Sequence, residues 1–213
     1  MRTKLFLLAV CIIRLLPLGA QTAAPSVESL RACAAEKGIE PKDYIFSLFE
    51  QSDIVVLGER DHRDTTQYDL ILDILADPRF AKRIGHVYTE VGSYNMTDDV
   101  NRLLQGDYPS HEAFMESLYA YYRKTENFYP MWEKYNRMKF LKGLYEINRK
   151  ARRKITLGLT DCEFSWDSIR TAEDYAKVWE SPEMEYRDSL MAAHIADMYA
   201  RQTPLKGKRK ALV

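Results

Sequence analysis

The chain has 213 residues and a mass of 24.8 kDa, 46% hydrophobic and 29% charged, which is enough for one sizeable core. Lys and Arg number 31 and so do Asp and Glu, a balance that leaves no electrostatic footprint for nucleic acid. With three cysteines, nine glycines and eight prolines, the composition excludes a disulfide miniprotein, a collagen-like repeat and a low-complexity tail.

Arg2 and Lys4 precede an apolar run from Leu5 to Ile13, and Leu18-Gly19-Ala20 ends on a small residue before Gln21. This order of positive start, apolar middle and small-residue end reads as a secretory signal peptide over 1–20, with an exported, periplasmic or secreted product. Arg14 breaks the stretch short of the ~20 apolar residues that a spanning helix needs, so no stable membrane anchor is expected after cleavage. Cleavage would leave a small acidic excess and remove Cys11, which follows Val10 rather than the small residue usual before a lipoprotein cysteine. Cys33 and Cys162 would remain, either as a disulfide or as two buried thiols.

Residues 21–52 read as a polar linker followed by two helices, Val27 to Lys37 and Asp43 to Gln51. Ile54-Val55-Val56-Leu57, closed by Gly58, is a β-branched apolar run of the kind buried on both faces of a parallel sheet. Tyr68, Ile71, Leu72 and Leu75 fall at helical spacing until Asp77-Pro78 stops the pattern. A second strand follows at 86–89. Thr97, Asp98 and Asp99 then supply side-chain oxygens for a helix start; Asn95-Met96-Thr97 also has the form of a glycosylation sequon. The segment 110–153 reads as two helices, with Tyr135, Met138, Leu141 and Tyr145 on one stripe of the second. A third strand spans 155–159, two more helices follow, and 211–213 reads as a fourth strand. Strands alternating with helices predict an α/β fold, a mostly parallel sheet flanked by helices with a helical middle insertion, over 53–213.

In such folds ligands bind beyond the carboxyl ends of the strands. Glu59 and His62 follow the first strand, Glu90 the second and Asp161 the third. Glu59 and His62 are three apart, so a tight turn or a first helical turn can set carboxylate against imidazole, a plausible general base. The same spacing fits a plain helix start in which Asp61 or Asp64 caps the amides and His62 is solvated. Aromatic residues at Tyr119–Tyr122 and Phe128–Trp132 could line an apolar pocket or pack into the core, and the basic run at 206–210 reads as a solvated loop.

The stretches Ile54-Val55-Val56-Leu57-Gly58-Glu59-Arg60-Asp61-His62 and Tyr88-Thr89-Glu90-Val91-Gly92 resemble the erythromycin esterase-like family, where one strand ends in G-E-x-x-H and the next in a glutamate. Asp99 to Leu104, the helix from Trp132 to Asn148, Gly158-Leu159-Thr160-Asp161 and Arg187-Asp188-Ser189-Leu190-Met191-Ala192 follow in the family's order. The resemblance implies a hydrolase of ester or related acyl bonds on a small-molecule substrate. In it His62 is the base toward water, Glu59 its support, and Glu90 a carboxylate on the opposite side of the cleft. Asp161 would position the substrate or the base, and Arg187 would be a substrate-side cation at the oxyanion or an ion pair holding its helix. Arg60 and Asp61 inside the motif, and Arg63 after it, replace the small or hydroxylated residues of family members and argue against a macrolide substrate. The family's strand matched by 211–213 continues to a second histidine. The sequence stops at Val213, so the expectation is an incomplete domain with little activity.

The wider superfamily includes Tiki and TraB-type proteins, read as metal-dependent proteases, and haem-binding uptake proteins. The resemblance implies no cofactor for the esterase. For the alternatives it implies a divalent metal on Glu59, His62, Glu90 and Asp161, or a haem with an axial ligand from His62, His86, His111 or His194.

Overall fold

The computed structural model describes residues 24–125 and 134–213; segment 1–20, with the form of a signal peptide, and the aromatic run 128–132 lie outside them. The chain divides into two compact units, Met1–Ile39 and Glu40–Val213. Of the first, helix α1 (Val27–Lys37) is described, a wholly exposed helix whose Ser26 side chain accepts from the Ser29 amide. Among the described residues, all strands and the remaining helices belong to the second.

The second unit begins with α2 (Pro41–Gln51), whose Ile45, Phe46 and Phe49 are buried, and β1 (Ile54–Val55). Helix α3 (Thr65–Ala76) and the short α4 (Pro78–Arg83) follow, each started by an aspartate, Asp64 and Asp77, whose side chain accepts an amide two residues on. Strand β2 (His86–Ser93) leads into the helical middle insertion: α5 (Thr97–Gln105), α6 (His111–Thr125) and α7 (Lys134–Lys150). After β3 (Thr156–Asp161) come α8 (Ala172–Trp179), α9 (Pro182–Glu185), α10 (Arg187–Arg201) and β4 (Ala211–Leu212).

The four strands form one parallel sheet in the order β1-β4-β2-β3, flanked by helices, so the α/β reading holds. On one face Val55, Val87, Leu157, Leu159 and Leu212 join a continuous apolar core with the helices, including Ile74, Phe114, Leu141 and Leu144. Each such large side chain contributes about 1.5–3 kcal/mol through its removal from water. On the other face α10 packs on β3, and Gln202 at its carboxyl-terminal cap accepts from Tyr88 of β2 at 2.8 Å.

The first strand departs from the expectation of burial on both faces. Val55 is buried, but Ile54 is 38% and Val56 68% exposed, because β4 takes the place beside β2 and leaves β1 at the edge, where alternate side chains face out. The opposite edge is closed differently. Thr97, Asn101 and Gln105, spaced four apart on α5, reach Leu159, Leu157 and Ile155, spaced two apart along β3. Four residues of helix rise ~6 Å and two of strand ~6.6 Å, so one helix face matches the strand's free polar groups step for step.

Candidate functional site

The first half of the site is built on the turn after β1. The Leu57 amide donates to the Val213 carbonyl at 2.7 Å, which carries parallel pairing almost to Glu59. The chain then leaves the sheet through a turn in which the Arg63 amide donates to Asp61 Oδ1 at 2.9 Å and the Asp64 amide to the Asp61 carbonyl. Asp64 caps α3. The capping arrangement and the acid–base arrangement therefore coexist, since Glu59 Oε1 contacts His62 Nδ1 within the same turn. Their side chains are 30% and 37% exposed. Gln67 braces the turn by donating to the Asp61 carbonyl at 2.9 Å and toward Glu59 Oε2 at 3.4 Å, while Asn136 of α7 donates to the His62 carbonyl at 3.1 Å. Arg60 and Arg63 are 86% and 80% exposed and stand outside this contact.

The second half is built on β2, β3 and α10. Pairing of β2 with β3 runs in register from His86↔Thr156 to Thr89↔Leu159 and resumes only at Ser93↔Asp161, so β2 bulges through Glu90, Val91 and Gly92. A bulge turns side chains away from the regular ladder, and here it presents Glu90 at the strand's end. Gly92 has φ +117, and a Cβ there would lie 2.9 Å from Arg137 Nη2 and 3.0 Å from Leu159, so glycine is required both by conformation and by space. Asp161 is fully buried, with its Oδ1 accepting from Arg187 Nε at 2.7 Å and from the Cys162 amide at 2.8 Å. Arg187 Nη2 donates to Asp161 Oδ2 at 3.1 Å and to Glu90 Oε1 at 3.0 Å. Burial opposes the charge on Arg187, but its bonds to Asp161 and then Glu90 outweigh this and hold the guanidinium above its ordinary pKa. The Cys162 thiol is also pushed up, by burial and then by the Asp161 charge.

Tyr68 of α3 feels charges from both halves. Burial raises its phenol pKa, the Glu59 charge raises it further, Arg137 opposes, and Glu90 adds to the rise. An open cavity of about 590 Å³ reaches Arg187 and is walled by Trp179, Pro182 and Met184.

No family model, curated protein or solved structure matches this chain. The candidate site therefore stands on its own geometry.

That geometry does not suit a metal: both Asp161 oxygens are taken by Arg187, and among the described residues no three His, Cys, Asp or Glu side chains gather to hold an ion. The other histidines sit in separate settings. His86 opens β2, its pKa lowered by burial and then by Arg153; His111 pairs with Glu146 at 3.5 Å; His194 Nδ1 lies 2.9 Å from the Thr160 carbonyl and its ring stacks on Tyr94. Cys33 is exposed, Cys162 buried, and both thiols are free.

Arg137, 2% exposed, and Asn136, 1% exposed, escape notice in the sequence because attention falls on the aromatic stripe beginning at Tyr135. Tyr135 is in fact 65% exposed, and the buried face runs through 136, 137, 140, 141, 144, 145 and 148. The available signal was two polar residues in phase with the apolar face, since such groups are seldom buried without a partner to serve.

Proposed function

We propose that this chain carries a site built for hydrolysis of an ester or related acyl bond of a small molecule, with His62 as general base. The observation that carries the reading is the contact of the Glu59 carboxylate with His62 Nδ1 at the carboxyl end of a parallel strand. A carboxylate there selects the tautomer and stabilises the imidazolium, so proton exchange falls to Nε2. Water gives a proton to Nε2 as its oxygen bonds to the acyl carbon. The same proton passes to the leaving oxygen when the acyl–oxygen bond breaks, releasing an acid and an alcohol. In this reading Glu90, held by Arg187, faces the substrate from the other side, and Asp161 acts through Arg187 by fixing it. The Arg187 cation, 21% exposed, is the group suited to charge that develops on the carbonyl oxygen.

The test is hydrolysis of a panel of aryl and alkyl esters by the purified chain and its variants. His62→Ala should lower kcat/KM by roughly a hundredfold or more, the size of a missing general base. Glu59→Gln should cost less. Undiminished hydrolysis by folded His62→Ala would reject the assignment.

Export belongs to the same proposal and rests on the order of charges and apolar residues over 1–20. Among the described residues no helix is long and apolar enough to cross a membrane. Protein recovered outside the cytoplasm should begin near Gln21; an intact Met1 on cytoplasmic protein would refute export.

A further inference from the structure

A groove of about 1000 Å³ opens at the amino ends of the strands, away from Glu59, Glu90 and Asp161. Its apolar lining comes from four separate elements: Leu75 at the end of α3, Ala81 of α4, Ile147 near the end of α7, and Leu205. Leu205 and Lys208 exchange backbone hydrogen bonds across a tight turn, which keeps Leu205 8% exposed while Lys206, at φ +51, stays exposed at the rim.

Five cations also line the groove: Lys82, Lys150, Arg152, Arg153 and Lys206. All five are exposed, and none has an ion-pair partner among the described residues. The two carboxylates of the lining are already engaged. Asp77 accepts from Arg79 Nε at 3.0 Å and Nη2 at 2.8 Å, and Glu146 lies 3.5 Å from His111 and 4.0 Å from Arg149. Lys82 and Lys150 also close the last turns of α4 and α7, where a cation complements the helix dipole. Arg152, Arg153 and Lys206 have no such helix end to serve. In a chain whose charges sum to zero, one concave surface thus holds uncompensated positive charge around an apolar lining, and a cleft of one sign concentrates its field on whatever enters.

We infer that this groove binds a single amphipathic anion, an alkyl or acyl chain bearing a phosphate or carboxylate head, independently of any hydrolysis at the opposite end of the sheet. The apolar tail lies along the half-buried Ala81 and Ile147, over the buried Leu75 and Leu205 beneath them, and the head meets the Arg152, Arg153 and Lys206 side. A bare anion would leave the apolar surface uncovered, and a neutral chain would leave the cations unmatched. Concavity selects one molecule over the planar face of a membrane.

The experiment is calorimetric titration of the full chain with hexyl, octyl and decyl phosphate, each below its micelle concentration, with inorganic phosphate as the head alone. Each two added methylenes should tighten binding by roughly tenfold, the consequence of burying them. Added salt should weaken it. Arg152→Glu with Arg153→Glu should weaken decyl phosphate by about tenfold or more, at an unchanged melting temperature. Affinity that ignores chain length, or that survives the double charge reversal, overturns the proposal. So does sedimentation of the chain with phosphatidylglycerol vesicles in the absence of any binding of monomeric decyl phosphate, which would make the groove a membrane contact.

Discussion

The two halves of the candidate site use the same chemistry, carboxylates against cationic or ionisable nitrogen, in opposite surroundings. Glu59 and His62 sit on a turn after an edge strand, each about a third exposed. Asp161 and Glu90 sit on the two long strands and Arg187 of α10 joins them, with exposure rising from 0% at Asp161 to 21% at Arg187 and 41% at Glu90. A charge pair facing water is worth ~0–1 kcal/mol, because solvent screens it and the side chains lose freedom. A buried charge deprived of its partner costs ~3–5 kcal/mol. The second half is thus a frame whose loss the fold feels. The first is a part that can be altered while the fold remains, as the proposed proton exchange with a substrate would require.

The strongest way to break this contrast is Arg187→Ala, which strands the fully buried Asp161 carboxylate. It should lower stability in urea denaturation by ~3–5 kcal/mol, and adding Asp161→Asn should recover part of the loss. A cost below ~1 kcal/mol would remove the distinction between the halves.

Asp77 and Arg79 sharpen the contrast, being a carboxylate–guanidinium pair nearer the surface. The side-chain bonds of Arg79 lower the Asp77 pKa, burial opposes, and the Arg79 amide lowers it further. Its stabilisation is complete above the carboxylate's unfolded pKa and is lost as pH falls through the lower folded value. Asp77→Ala should therefore cost ~1 kcal/mol at pH 7, as for a lost helix cap, and the gap to the parent chain should close under acid in melts followed by circular dichroism. A constant gap down to pH 2 would count against the pair.

The smallest stability effect is expected at His62. His62→Ala should stay within ~1 kcal/mol of the parent chain in the same urea measurement while hydrolysis falls steeply. A larger destabilisation would place His62 in the frame with Arg187.

How much of this could be read from residues alone follows from the range of each interaction. The strands at 86–89 and 155–159 were legible as short β-branched runs, and the structure extends them to 93 and 161. Glu59 and His62 were legible because three residues on a turn decide whether they touch. The outward face of β1 was not, since the same four apolar letters suit a centre strand or an edge, and only the insertion of β4 tells them apart. The bond from Arg187 to both Asp161 and Glu90 likewise depends on strand pairing and on the bulge before Gly92, neither of which leaves a local pattern. Asn136 and Arg137 were hidden by a shift in phase along one helix.

The strand order carries a consequence for the time course of folding. Within the sheet β1 pairs only with β4, although β2 follows it in sequence, so Ile54 waits for Ala211 and Val55 for Leu212. Contacts so remote in sequence form slowly, because a long loop must close before any bond rewards it. Pairing of β2 with β3 and the Arg187 clasp need nothing from β1, whereas the segment holding Glu59 and His62 has no neighbour in the sheet until β4 is in place. The turn that carries Glu59 and His62 is therefore among the last features to be positioned against the sheet.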